Sequence, residues 1–312
     1  MEKFGNSIHI RTKEVTIRNI MLFKKHDKLD SKLLLESERL IRSQRYIRKV
    51  TIVPIDIANS KDSIDIKIRV LDSWTLIPTG SLSSSESSAK LTERNILGFG
   101  HLISGNIKNR FDTNERAVYA QYSINNIKNT YIRLDLDYAN DYNNDSKRSI
   151  NINRPFYSVI TKNAGGAFFE NRLRTEQFPV LDTISLQNVS YDFQEYWYGR
   201  AFKINPKSNP ERYFNNMVLA LTYNQKVFGQ MPAAVLDPTS YFSNEKNWIG
   251  MIGFSKQKFY QDKFVFNYNI TEDIPYGENI ALIVGHQEKN SNSRLYTGLS
   301  VSFGRKYSFG YA

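Results

Sequence analysis

The 312-residue chain contains no cysteine. That removes disulfide scaffolds, thiolate nucleophiles and cysteine-ligated zinc from consideration. Histidine is nearly as scarce: His9, His26, His101 and His286 lie far apart, which argues against a multi-histidine metal site. Long apolar runs are also missing. The longest, Met217–Leu221 and Ile280–Val284, fall far short of the ~20 residues that a membrane helix needs. A barrel strand is not excluded, because it needs only about 9–11 residues and one apolar face. The opening MEKFGNSIHIRTK has no apolar core and cannot act as a signal peptide. Either the chain is cytosolic or its start lies upstream of Met1. No G-x-S-x-G elbow, H-E-x-x-H pair or phosphate-binding loop occurs. The glycines at 98–100 and 165–166 lack the strand-to-helix setting that nucleotide binding requires.

What is present is aromatic and basic: 19 Tyr, 19 Phe and a net charge of +11. Such an excess points to nucleic acid or to an anionic membrane surface. The densest basic stretch, Arg39 to Lys49 with Arg42, Arg45 and Arg48 inside it, falls on and after an amphipathic helix and reads as its solvated face. No nucleic-acid partner is therefore expected. Asp135 and Asp137 share one strand face and read as a solvated polar wall paired with Arg133. The acidic run Asp135–Asp145 misses the calcium-loop spacing and reads as a polar hairpin loop. His101 and His286 read as strand or loop residues near turns. No catalytic residue, metal or cofactor is expected.

The first 72 residues are mixed in character. Val15, Ile17, Ile20, Met21 and Leu22 fit either strand or helix over Thr12–Phe23. Asp30 caps a clearer helix, with Leu33, Leu34, Leu40 and Ile41 on one side and Glu36, Glu38, Arg39 and Arg42 largely on the other. Two strands follow, with Thr51, Val53, Ile55 and Ile57 alternating in the first and Ile64, Ile66, Ile68 and Val70 in the second.

From Trp74 onward the pattern is strand after strand. Roughly a dozen candidates alternate apolar with polar residues, among them 118–124, 132–138, 264–271 and 295–303. Tyr191–Ile204 and Tyr213–Phe228 exceed the usual 5–6 residues of soluble strands. Aromatics recur near segment ends, as at Phe156-Tyr157, Phe168-Phe169, Tyr196-Trp197-Tyr198, Trp248 and Phe259-Tyr260. The pattern by itself fits a membrane barrel and a soluble sandwich or jelly roll alike.

Several stretches resemble the Omp85 superfamily of outer-membrane assembly and translocation proteins. "LFKKHDKLDSKLLLESERLIRSQRYIRKVTIVPIDIANSKDSIDIKIRVLD" resembles the later part of a POTRA domain, the periplasmic repeat of that family. His26 stands where the family usually carries glycine. "LTERNILGFGHLISGNIKNRF" resembles the barrel's opening hairpin, with Glu93, Asn95, Leu97, Gly98 and Gly100 on the motif, and Thr75–Ser83 would be the first barrel strand. "SININRPFYSVITKNAGGAFF" resembles a segment of Bacteroidetes-type members, with Arg154, Pro155 and Phe156 at a turn. "DIPYGENIALIVGHQ" resembles a recurring hairpin, with Pro275 and Gly277 as its turn residues. The resemblance implies a mainly β chain: a POTRA-like periplasmic domain over 1–72, incomplete at its N-terminus, and an outer-membrane antiparallel β-barrel over 73–312. About 12–13 of the family's 16 strands are counted, and the family's late Arg-Gly-Phe is absent. A piece of a longer protein is the expectation that follows. The implied role is insertion or export of client proteins without catalysis or cofactor. The implied partners are outer-membrane lipids and lipopolysaccharide, client proteins and accessory lipoproteins. A translocator for an upstream patatin-type phospholipase and a soluble all-β glycan- or protein-binding module are the alternatives.

Overall fold

A computed structural model describes residues 10–58, 62–181, 183–204, 214–266, 270–307 and 310–311. Strand accounts for 65% of it and helix for 7%, so the fold class is mainly β with antiparallel pairing. Two parts are built differently.

The first part is a small α/β body. Helix α1 (Glu14–Arg18) takes five of the twelve residues whose period was ambiguous, and helix α2 (Ser31–Arg42) follows. Asp30 caps α2 by accepting a hydrogen bond from the Lys32 amide at 2.9 Å. His26 takes the left-handed conformation, φ 72°, at the position where glycine was expected. The turn is thus made by a residue type that tolerates that region better than most. Strands β1 (Ile47–Asp56) and β2 (Ile64–Asp72) pair antiparallel. Ile17, Ile20, Met21, Leu40, Ile41, Tyr46, Ile47 and Val50 form one buried apolar cluster, with Ile52, Ile68 and Val70 packed on it. The inward face of β1 differs from the expected one. Val50 and Ile52 stand opposite Val70 and Ile68 and face the core, whereas Val53 and Ile55 are exposed. A one-residue shift in a period-two strand exchanges its faces, and here the helices' apolar side decides which face is covered.

The second part is a single twelve-stranded meander, each strand paired antiparallel with the next in sequence. Its strands are β3 (Leu76–Leu82), β4 (Glu86–Ile96), β5 (His101–Arg110), β6 (Arg116–Ile124), β7 (Arg133–Asn140) and β8 (Ser146–Arg154). Longer ones follow: β9 (Asn163–Val180), β10 (Thr183–Lys203), β11 (Phe214–Gln230), β12 (Glu245–Lys263), β13 (Thr271–Lys289) and β14 (Asn292–Gly304). Among the described residues β3 and β14 are not paired with one another, so the sheet is not closed. The strand expected over 264–271 is absent from the described part of that range. β12 ends at Lys263, Phe264–Phe266 form bends with Phe264 at φ 65°, and β13 begins at Thr271; residues 267–269 lie outside the described set. The described part of this segment stands between two 19-residue strands.

Burial in the meander is inverted relative to a water-soluble sheet. One face carries Leu221 and Leu299, each 70% exposed, together with Leu219, Ile252, Leu282, Ile280 and Val301, all open to the surroundings. The other face buries polar groups: Ser104, Ser123, Ser149 and Asp135. No second sheet covers the apolar face among the described residues. On the polar face a chain of contacts crosses six strands. Lys147 pairs with Glu170 at 3.5 Å, Tyr191 donates to Glu170, Lys226 lies over the Tyr191 ring, and Glu245 pairs with both Lys226 and Lys289. The sheet thus shows leucines on one face and buries hydroxyls and a carboxylate on the other, the reverse of the usual distribution. None of its helices is long and apolar enough to cross a membrane among the described residues.

Candidate functional site: the junction between the α/β body and the sheet

The α/β body sits on the ends of the strands, and its contacts run from the second strand of the meander to the eleventh. On a flat sheet those strands would stand about 40 Å apart, nine spacings of ~4.8 Å. A body of ~60 residues is only roughly 25–30 Å across. The sheet therefore curls around the body's underside, with its polar face on the concave side.

One anchor is the turn between β4 and β5. The Lys13 amide and the Thr16 hydroxyl both donate to the Gly98 carbonyl, at 2.9 and 2.7 Å. Asn95 is fully buried and works in both directions. Its Oδ1 accepts from the Gly100 amide at 2.7 Å, and its Nδ2 donates to the Thr12 Oγ1 at 3.0 Å. Thr12 in turn donates to Asp72 at 2.6 Å, at the end of β2. Glu93 accepts from the Asn95 amide at 2.7 Å and holds the turn's entrance. Gly98 and Gly100 have φ of 81° and 71°, and Leu97, also left-handed at 50°, stands exposed. A side chain at Gly98 would collide with the Arg11 carbonyl, and a Cβ at Gly100 would lie 2.6 Å from the Tyr46 hydroxyl. These glycines thus serve the turn and also let the body approach it. Burial, then the nearby charge of Asp72, pushes the Tyr46 phenol well above its ordinary value.

Another anchor is aromatic. Tyr131 stacks on Tyr157 at 3.7 Å with the rings nearly parallel, and both pack against the body's apolar cluster. The Tyr131 hydroxyl donates to the Ile20 carbonyl at 2.7 Å, and Asn126 donates to the Asn19 carbonyl at 2.6 Å. Tyr131 adopts φ 58°, a costly conformation for a bulky residue, held there by the Asn126 side chain that accepts its amide. The Tyr131 phenol lies above its ordinary value through burial, then through Tyr157 and Glu36.

The last anchor overturns an expectation. The charged side of α2 is not a solvated face. Arg42, 8% exposed at its side chain, makes a two-pronged bond to Asp273 at the start of β13, with Nε–Oδ2 at 2.8 Å and Nη2–Oδ1 at 3.0 Å. Its Nη1 donates to Glu38 at 2.8 Å. Burial pulls the Arg42 pKa down, and Asp273 and then Glu38 more than offset this, so the guanidinium is held above its ordinary value. Arg39 donates to the Tyr157 carbonyl at 3.2 Å, pairs with Glu36 and lies over the Phe259 ring at 4.4 Å. Of the basic stretch read as a solvated face, Arg39 and Arg42 are the contact with the sheet, whereas Arg45, Arg48 and Lys49 are exposed.

The remaining singled-out residues are spread over the sheet, and Arg154 reaches the aromatic anchor, its Nη2 donating to the Tyr157 hydroxyl at 3.3 Å. Arg154 ends β8 and closes the 155–162 loop by donating to the carbonyls of Thr130 and Asn163. Pro155 and Phe156 follow it, with the Phe156 ring close to Gly199. Pro275 and Gly277 are not turn residues: both lie inside β13, opposite Phe259 and Gln257. Gly277 has φ 141°, and a Cβ there would strike the Lys256 carbonyl, so glycine marks a close strand approach. The Pro275 carbonyl accepts from the Tyr311 hydroxyl at 2.7 Å. Asp135 pairs with Arg133 at 2.7 Å, as expected, and accepts from Ser123, but at 6% exposure it is buried rather than solvated. The 141–145 loop is tied down, with Asp145 accepting from the Thr175 amide at 2.6 Å. Among the described residues no cluster of three or more His, Asp or Glu side chains has metal-site geometry.

Arg42, Tyr157 and Asp273 lie in stretches singled out above, but nothing in the sequence pairs them with one another or with Tyr131. Each is an ordinary polar or aromatic residue whose partner lies up to 231 positions away. No family model matches the chain, and no curated protein matches it. Among solved structures it is similar to BamA from Haemophilus ducreyi lacking POTRA domains 1–3. The identity there is 10% and the TM-score 0.38, over 96% of this chain and 77% of that one.

Proposed function

We propose that this chain is a non-enzymatic membrane protein of the Omp85 type, in which the meander spans the outer membrane as a curled, barrel-like sheet and the α/β body is a POTRA-like periplasmic module. The observation that carries this reading is the inverted burial: exposed Leu221, Leu282 and Leu299 outside, buried Asp135, Ser123 and Ser149 inside. Lipid covers the first set and an aqueous lumen solvates what remains of the second. The motif residues Glu93, Asn95, Gly98 and Gly100 set the body against the lumen's periplasmic end. Clients and accessory lipoproteins would add to the body by strand pairing along β1 or β2. Outer-membrane lipids and lipopolysaccharide surround the apolar face. The same architecture serves assembly of membrane proteins and export of secreted ones.

The test is refolding of the full chain into detergent micelles, followed by gel electrophoresis with and without boiling and by protease treatment. A heat-dependent shift in mobility, with residues 73–312 protected from protease, is the expected result. Cooperative folding in plain buffer without detergent overturns the reading and favours a soluble all-β module.

A further inference from the structure

The concave face of the sheet carries one row rich in amides. Pairing register sets Glu195, Asn224, Asn247, Gln287 and Arg294 side by side across β10 to β14. In the next row toward the body, Ile249, Gly285 and Tyr296 stand opposite one another on β12, β13 and β14. Between the two rows lies a cavity of about 380 Å³, with Asn224, Asn247, Gln287 and Arg294 along one side and Ile249 and Tyr296 along the other. Gly285 keeps its floor open. A Cβ there would lie 3.2 Å from the Trp248 carbonyl and 3.3 Å from the Ile249 side chain.

The polar side of the cavity has hydrogen-bonding capacity to spare. Asn247 donates to the Asn224 Oδ1 at 2.7 Å, which leaves the Asn247 carbonyl oxygen and the Asn224 amide hydrogens for another partner. Among the described residues the side chains of Gln287 and Arg294 make no hydrogen bond or ion pair. Two acids share this region of the concave face. Glu245 is already held by Lys226 at 3.6 Å and Lys289 at 3.1 Å. Glu195 closes the far end of the amide row, four strand spacings or about 19 Å from Arg294. Neither acid lines the cavity. The ring of His286, on the alternate position of β13, lies against Trp248 on the outward face, so Arg294 is the cavity's one permanent charge.

We propose that this cavity binds one acidic sugar ring. Planar side-chain amides donate and accept at once, which is what neighbouring sugar hydroxyls require. The Arg294 guanidinium supplies a fork for the ring's carboxylate. Ile249 and the half-exposed Tyr296 ring offer an apolar wall to the C–H face of the sugar. The volume lies at the lower end of the roughly 300–1,000 Å³ common for small-molecule sites, which suits a single ring and not an extended polypeptide. The inference goes beyond the membrane reading above and does not depend on it, because the concave face has this composition whatever covers the other one.

The test is isothermal titration of the full chain, folded in micelles of a detergent without a sugar headgroup, with galacturonate, galactose and cyclohexanecarboxylate. Galactose lacks only the carboxylate, and cyclohexanecarboxylate keeps ring and charge but has no hydroxyls. The expected result is saturable binding of one galacturonate per chain, with the other two weaker by roughly tenfold or more. Arg294→Gln brings galacturonate down to the level of galactose and leaves galactose unchanged. Asn247→Ala weakens both sugars. Lys246→Gln, the neighbouring position on the outward face, alters neither. Arg294 is an exposed side chain on the last strand of the meander, so its replacement should keep the fold, and an unchanged heat-dependent gel mobility checks this. Equal affinity for galacturonate and cyclohexanecarboxylate marks a general anion site and overturns the proposal. So does full preference for galacturonate in Arg294→Gln, or no saturable binding of galacturonate to the unaltered chain. Should the chain fold in plain buffer, the membrane reading fails, and the same titration in buffer decides this inference by itself.

Discussion

Arg42 is the most informative residue to change, because it joins the α/β body to a strand 231 positions away. Its side chain is 8% exposed and that of Asp273 12%, so both charges are largely withdrawn from water. Replacing Arg42 by Ala removes three charge-assisted hydrogen bonds and leaves Asp273 and Glu38 facing one another without their cation. Breaking one partner of a buried pair typically costs 3–5 kcal/mol. With part of Glu38 still in contact with solvent, about 3 kcal/mol is expected, or a roughly 150-fold rise in the undocked population. Asp273→Asn keeps an acceptor for the guanidinium and leaves Glu38 as counter-charge, so about 1–2 kcal/mol is expected there. The assay is native-state trypsin cleavage within the body of the refolded full chain, under conditions where undocking is fast and cleavage slow. The rate then follows the undocked population. A cycle of Arg42→Ala, Asp273→Ala and the double variant should show a coupling of about 2 kcal/mol. Additivity within about 0.5 kcal/mol would show that the pair behaves as an exposed ion pair and that the docking argument is wrong.

Asn95→Ala leaves the Gly100 amide without its acceptor and Thr12 without its donor, and should cost about 2–4 kcal/mol of docking in the same cleavage assay. Gly100→Ala, with φ at 71° and the Tyr46 hydroxyl in the way, should undock the body while the heat-dependent mobility of the sheet persists. Alkali gives a signed prediction. The Tyr46 phenol is raised in the folded chain, so its contribution is intact below the unfolded pKa of about 10 and is lost as pH climbs from there through the folded value. Cleavage in the body should accelerate above about pH 10, and Tyr46→Phe should flatten that rise. Leu282→Arg on the apolar face should destabilise vesicle-refolded protein by about 2–4 kcal/mol, whereas Ser149→Ala on the polar face, which removes one hydrogen bond to Asp137, should cost only about 1 kcal/mol by urea midpoint.

Local chemistry decided much of the architecture. Asp30 before an apolar-periodic stretch capped a helix, and period-two runs became strands with few exceptions, because capping and pleat alternation are properties of short segments. The count read from turns and alternation, about 12–13, comes close to the twelve strands of the meander, and 264–271 is where it fails, Phe264–Phe266 being bends rather than strand. Tertiary structure decided everything that depended on a distant partner. Register across β2 turned Val53 and Ile55 outward. Pro275 and Gly277 look like turn residues in sequence but sit inside a strand, because β12 continues past them and supplies the pairing. Above all, a helix face rich in Arg and Glu has the same spacing whether water or protein covers it. Only the curled sheet, bringing Asp273 and the Tyr157 carbonyl to that face, made Arg42 and Arg39 a docking surface rather than a solvated one.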